Sequence, residues 1–556
     1  MPANPQRPSK NSTLREKSIL LGLATQKERP NGGIRVSIHW GRMILVLLAL
    51  SVIGWISATS ALYIYLKHIQ DFETVKFTNA LLLQRSELRR KMGDQQIETS
   101  IAYTKEAKYQ DAFRLLHFGV ARSPDNLEGR KLIAEYYEMG MKRPDIASNF
   151  LFEGLEYGGL EDIEYLKRLL QLLLRNQMDE EMQQLADEHL PEEPELTDFN
   201  RTLALGATSA NYQQGRYDRA EDYLINYNLL ESVEGLLVSS KISWERGNRV
   251  TAITKLEQML NRFPKSNLLL SQLSTYYREM GNLDKARRVV MLRSVKDPSN
   301  HKPRLELLNI YNQENDEESE KNEIEQFFEQ FSENKTAFLE FAAYASGAGN
   351  TDLAQRIHTV ALEKGFDIDI FTILLIETYF VNKDYSTALD FSEDLIEQKP
   401  EWLTKRWAVF NGLRSLAAFA EGRPDLGEIY LQNFLKDTNQ RPQTYLNVAN
   451  HFLTINRTPQ ARKILVTAYQ QIPKNQRILS ELIKLELELG NTEKIHELLT
   501  KLLKMRRPQI ELIAKAYRNL GSDRFIFTPN RDILLLQLGA ILRENDQDTL
   551  YLEKTP

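Results

Sequence analysis

Residues Gly281–Asn300 read GNLDKARRVVMLRSVKDPSN. Gly281 and Asn282 suit a tight turn, Asp284 suits the opening of a helix, and Pro298 ends that helix because proline cannot continue one. Just upstream, Leu270, Leu273 and Tyr277 recur at helical spacing. The stretch is therefore the second half of a helical hairpin, with Ala286 as the small residue that lets two antiparallel helices approach.

That hairpin repeats. Positions matching Ala286 fall at Ala112, Ala147, Met182, Ala220, Ala252, Ala286, Glu320, Ala354, Ala388, Gly427, Ala461 and Ile495. The intervals are 35, 35, 38, 32, 34, 34, 34, 34, 39, 34 and 34, so eight of eleven are 34 or 35. A set of unrelated helices would not keep this period. Twelve residues after five of the markers stands a proline, at Pro124, Pro264, Pro298, Pro400 and Pro473. The turns look alike too, as in Gly247-Asn248, Gly349-Asn350 and Gly490-Asn491. The unit around Glu320 lacks the small residue but keeps the interval, and reads as a degenerate copy.

A 34-residue helix–turn–helix with this Gly/Asn-x-x-Asp-x-Ala…Pro pattern resembles the tetratricopeptide repeat family. The resemblance covers about residues 95–507, although the family's first-helix Trp-Leu-Gly signature is mostly absent. It implies an all-α superhelical solenoid of about twelve stacked hairpins whose concave groove binds peptides or partner proteins. In the family the groove is lined by the first helix of each unit. The residue eight before each marker is expected there: Tyr212, Trp244, Arg278, Asn312, Ser346, Phe380, Phe419 and Leu453. The candidate partner-binding residues are thus Tyr212, Trp244, Arg278, Asn312, Phe380 and Phe419. The aromatic rings and Arg are of the type that anchors interfaces, and the alternative for each is packing against the adjacent unit.

The rest of the 556-residue chain frames this array. Residues 1–42 carry Arg7, Lys10, Arg15, Lys17, Lys27, Arg29, Arg35 and Arg42 against Glu16 and Glu28, and are expected to be a mostly disordered basic tail. Its role is a topology signal or a contact with anionic lipid. Met43–Leu66 holds 24 residues without a formal charge. As a helix it would be about 36 Å long, enough to cross a bilayer core. A cleaved signal peptide is the rival reading, with Ala58-Thr59-Ser60-Ala61 as its cleavage site. The apolar run continues past that site, which favours an uncleaved transmembrane helix. Residues 67–94 are expected as a helical stalk, and 508–556 as C-terminal capping helices and tail.

The basic tail favours placing the N-terminus in the cytoplasm and the repeats outside it, in a bacterial inner membrane. Lys67, Lys76, Arg85, Arg89, Arg90 and Lys91 beyond the span reduce that contrast.

Chemistry is sparse. The chain has no cysteine, which removes disulfides and thiolate metal sites, and eight scattered histidines without metal-ligand spacing. There is no phosphate-binding loop. Gly347-Ala348-Gly349 lacks the third glycine of a dinucleotide fingerprint. A net charge of −5 gives no basic footprint for nucleic acid. The expectation is no enzyme, no cofactor, no metal and protein or peptide partners, with oligomeric state open. The function expected is a membrane-anchored protein–protein interaction scaffold. The alternatives are an accessory or regulatory subunit of an envelope biosynthesis or secretion complex, and an extracytoplasmic chaperone-like holdase.

Overall fold

The computed structural model describes residues 16–19, 22–28, 33–80, 85–438 and 440–543. They divide into an N-terminal unit, up to Asn176, and a C-terminal unit from Gln177 onward. Both are built of helical hairpins, and the fold is an all-α solenoid of helix–turn–helix repeats behind one long apolar helix.

The hairpins obey one local rule. Each of the twelve spacing markers is the fourth residue of a helix, from Ala112 in Tyr109–Arg122 to Ile495 in Thr492–Leu503. The residue five positions earlier has positive φ in every case: Ala107, Lys142, Gln177, Gly215, Gly247, Gly281, Asn315, Gly349, Lys383, Gly422, Asn456 and Gly490. The turn after the first helix therefore always passes through the left-handed region, where Gly is tolerated best and Asn next. The next backbone N–H reaches back to close the helix end, as Asn282 N–H does on Tyr277 O at 2.8 Å. Asn282, two residues before Asp284, also caps the second helix, its side chain accepting from Lys285 N–H. Asp284, expected to open that helix, instead sits inside it and pairs with Arg287 at 2.7 Å. The five phased prolines each stand two residues past a helix end, as Pro298 does after Lys296.

Lys383 occupies the left-handed position (φ 60°) without glycine's freedom. Lys383→Gly is expected to stabilise the chain by about 0.5–1 kcal/mol, read as a raised urea midpoint. A fall in the midpoint would show that the lysine side chain contributes more than its backbone strain costs.

The markers are small because they are interior. Ala112, Ala147, Ala220, Ala252, Ala286, Ala388 and Ala461 are all fully buried. Glu320 keeps its place differently: its carboxylate accepts the Tyr344 hydroxyl at 2.5 Å.

In the N-terminal unit the apolar helix Trp40–Ile64 runs into a π-helical turn, Tyr65–Ile69. The expected stalk is not one helix. The chain turns at Asp71 (φ 54°), and Phe72 and Val75 bury against Leu66, with Leu88 and Met92 packed alongside. Arg85–Lys105 then forms the first hairpin with Tyr109–Arg122. The two cross at Gly93 and Gly119, where a Cβ on Gly93 would lie 2.7 Å from Gly119 O.

The tail expected to be mostly disordered contains regular structure. Strands β1 (Glu16–Ile19), β2 (Ala24–Glu28) and β3 (Ile34–Ile38) form an antiparallel sheet in that order. The signal was the strict alternation of IRVSI in β3, too short to stand out in a tail read by its charge.

Candidate partner-binding groove

In the C-terminal unit most first helices pack on the next first helix, the step from Asn267–Glu279 to Lys302–Glu314 excepted. Asp198–Gln213 touches Val233–Glu245, Lys335–Gly347 touches Asp369–Val381, and Glu401–Ala420 touches Pro442–Thr454. The second helices of successive hairpins meet to this extent only at the C-terminal end, where Thr492–Leu503 packs on Arg531–Arg543. The first helices are thus the more closely packed, inner rail of the unit.

The candidate residues separate into two groups. Tyr212 and Trp244 are half-buried and border one hollow together with Tyr217, Glu245 and Glu279. The Trp244 ring lies flat on Tyr276 at 3.8 Å, and the Arg249 guanidinium is 5.3 Å from it. Arg278 is half-buried and Asn312 exposed. Phe380 and Phe419, by contrast, are each only 3% exposed. Phe380 packs on Tyr385 and His451, and Phe419 on Phe452 with the Arg457 guanidinium 5.6 Å from its ring. Ser346 is buried as well, and Leu453 packs against the core. All four candidate rings hold the same place in the last turn of the first helix, and Phe380 and Phe419 are covered there by side chains of later hairpins, His451, Phe452 and Arg457.

The hollow at Tyr212 and Trp244 is closed on one side by distant sequence. Arg507, Pro508, Gln509, Ile510 and Glu511 line it. Arg506 grips Asp179 through two bonds, Nε to Oδ2 at 2.7 Å and Nη2 to Oδ1 at 2.8 Å. Arg507 donates its backbone N–H to Gln213 O at 2.8 Å and a guanidinium N–H to Gly215 O at 3.3 Å. Its guanidinium also stands 4.8 Å from the Tyr217 ring. The two ends of the C-terminal unit are thereby joined. Burial raises the Glu245 carboxyl above its ordinary range, Arg507 opposes this, and Glu279 and Glu511 add to the rise.

A second hollow of about 350 Å³ lies on the inner rail across Asp369–Val381, Glu401–Ala420 and Pro442–Thr454. Ile373, Leu374 and Val409 supply apolar surface, and Glu377, Lys405, Arg441 and Asn447 supply polar and charged groups. Gln440 also lines it, is 7% exposed, and its Oε1 has no hydrogen-bond partner among the described residues. Gln443 donates to Asn447 Oδ1 at 2.6 Å. Burial holds the Glu377 carboxyl above its usual range, and a hydrogen bond from Asn447 works against that shift. The hollow can therefore hold an aliphatic side chain and accept hydrogen bonds at two points. Sequence reading missed it because these residues lie three to fourteen residues before the position expected to face the groove.

A carboxyl raised by burial favours folding when protonated. Its contribution is present below the unfolded-state pKa and is lost as pH rises through the higher folded-state value. Glu377→Gln is accordingly expected to raise the thermal midpoint at pH 7 slightly, with the gain vanishing towards pH 4. An equal change at both pH values would refute the assignment.

Among the described residues no three His, Asp or Glu side chains gather closely enough to hold a metal ion. No family model matches the sequence, and no curated protein matches it. Solved structures similar to it include a tetratricopeptide repeat protein from Parabacteroides merdae (17% identity, 45% of this chain and 97% of that one, TM-score 0.28). Yeast Tom70 matches at 14% identity over 90% of this chain and 99% of its own, with a TM-score of 0.30. The tetratricopeptide repeat domain of P58(IPK) matches at 14% identity over 72% and 99%, with a TM-score of 0.20. The tetratricopeptide-like character of the chain accordingly stands on its own helical hairpins and their recurring left-handed turns.

Proposed function

We propose that this chain is a membrane-anchored scaffold that holds partner proteins on the inner rail of its C-terminal unit. The observation that carries the reading is the hollow around Glu377 and Gln440. Buried acceptors beside apolar side chains suit a partner that brings N–H donors and an aliphatic residue together. That polar lining favours a defined partner over a holdase, which would need a broad apolar surface. An accessory role in an envelope biosynthesis or secretion complex is one form of the same scaffold.

The anchor is the Trp40–Ile69 stretch. Its most apolar window is long enough to cross a bilayer and only 6% buried within the protein. A core helix would be covered by neighbouring elements, whereas this one presents Leu45, Leu48 and Leu50 to its surroundings at 58–68% exposure. The basic tail places the repeats outside the cytoplasm in this reading.

The test is site-specific photo-crosslinking from Ile373 and Val409 in the membrane fraction. Discrete adducts that disappear in a Glu377→Arg variant are the expected result. A continuous smear of adducts would replace the scaffold with a holdase, and no adducts would remove the groove. A reporter fused after Pro556 that is active only in the cytoplasm would reverse the orientation.

A further inference from the structure

We infer that the N-terminal sheet is a membrane-surface seat, with the Ile34, Val36 and Ile38 face of β3 lying on anionic lipid beside the anchor helix. The inference rests on the anchor reading above and adds to it a second, interfacial contact.

The register sorts the sheet into two faces. Val36 stands opposite Gln26, which pairs with Lys17, and Ile38 stands opposite Ala24, which pairs with Ile19. On the other face Ser37 and Thr25 share a hydroxyl hydrogen bond of 2.7 Å. One face is therefore apolar along β3, with Lys17 in the Val36 row and Glu28 opposite Ile34, and the other pairs Lys27 with Arg35 beside the hydroxyls. Ile34, Val36 and Ile38 are 62%, 55% and 48% exposed. Three adjacent apolar residues left bare on an edge strand are a liability in water, and edge strands are normally blunted or covered.

The chain itself says what covers them. Only His39 separates Ile38 from Trp40, the first residue of the apolar helix. Val36 is four residues from Trp40, so it lies within roughly 14 Å of the helix start whatever the backbone does. The sheet is also tied to that start directly. His39 N–H bonds Leu23 O at 2.9 Å, and the Arg42 guanidinium bonds Gly22 O at 3.3 Å. A helix that spans the bilayer thus holds this sheet at headgroup depth. It goes no deeper, because the open edge of β3 carries backbone groups that hydrocarbon would leave unpaired. The net charge of the segment agrees with anionic lipid: residues 16–42 carry Lys17, Lys27, Arg29, Arg35 and Arg42 against Glu16 and Glu28, with Lys17 in the Val36 row and Lys27 and Arg35 on the opposite face. Trp40 is 63% exposed at the junction, where an indole ring favours the interface.

The absence of native cysteine makes the test direct. Single cysteines at positions 34 to 38, and at Ile53 in the anchor, are labelled with an environment-sensitive fluorophore in the full chain. The protein is reconstituted in vesicles of phosphatidylcholine and phosphatidylglycerol carrying a headgroup-region nitroxide quencher. The expected result is several-fold stronger quenching at 34, 36 and 38 than at 35 and 37, weakened when phosphatidylglycerol is left out. Deep quenching at 53 with no alternation at 34–38 overturns the seat and leaves the anchor standing. No lipid contact at 53 overturns the anchor, and the seat with it. Alternation with protection from both lipid and aqueous quenchers, together with disulfide formation between copies at Val36→Cys, would assign the face to a second copy and overturn the proposal.

Discussion

Replacing Arg506 with alanine is expected to cost the C-terminal unit about 3–5 kcal/mol, because it strands a buried carboxylate. The Asp179 side chain is only 4% exposed and Arg506 16%, so neither is relieved by water. In a simple solenoid each repeat feels only its neighbours, and damage stays local. Here the pair joins residues 327 apart in sequence, and Arg507 adds bonds to Gln213 and Gly215. The loss should therefore appear at both ends at once. Hydrogen exchange is expected to accelerate in Asp179–His189 and in Ile510–Gly521 together, with a lowered urea midpoint. The charge-reversed pair, Asp179→Arg with Arg506→Asp, should recover part of the loss. Faster exchange confined to the C-terminal helices, with the midpoint unchanged, would mean that the closure carries no stability.

This closure also bears on access to the groove. The segment from Arg507 to Glu511 occupies one side of the hollow that Tyr212 and Trp244 border. A partner seated there would have to contact that segment or displace it. The hollow around Glu377 has no such cover from distant sequence, which is why the proposed binding centres on it.

The repeat period was readable because it records geometry at a fixed place, the fourth residue of each second helix. Small residues there leave a trace even when the rest of the unit has drifted. The turn was only half readable. Gly215, Gly247 and Gly281 advertise the left-handed residue, whereas Ala107, Lys142, Gln177 and Lys383 adopt the same conformation without a residue that announces it. The cap was misplaced from Asn282 to Asp284 because both residue types cap helices and only the backbone tells which one does so. The Arg506–Asp179 pair left no local signal, since nothing periodic links positions so far apart. At the interval of the expected groove residues the structure sets Tyr212 and Trp244 beside a hollow and buries Phe380 and Phe419. Glu377 faces the rail, and Phe380, three residues later, points into the hairpin.

That last difference has a measurable consequence. Phe380→Ala and Phe419→Ala are each expected to cost about 3–5 kcal/mol, the range for emptying a buried aromatic site. Trp244→Ala should cost less, because the ring is half-exposed and its stack on Tyr276 is worth about 0.5–1.5 kcal/mol beyond area. Loss of partner binding in the first two variants would then follow from unfolding and would say nothing about the groove. Gly427 separates the two causes. A Cβ added there would stand 2.6 Å from Phe419 Cδ2, so Gly427→Ala should cost about 1–3 kcal/mol by overpacking. Once Phe419 is truncated, the added methyl group meets no ring. The double variant is therefore expected to be less destabilised than the sum of the singles by about 0.5–3 kcal/mol, measured by urea unfolding. Strict additivity would contradict the packing of Phe419 on Gly427 and return that ring to the candidates for the partner surface.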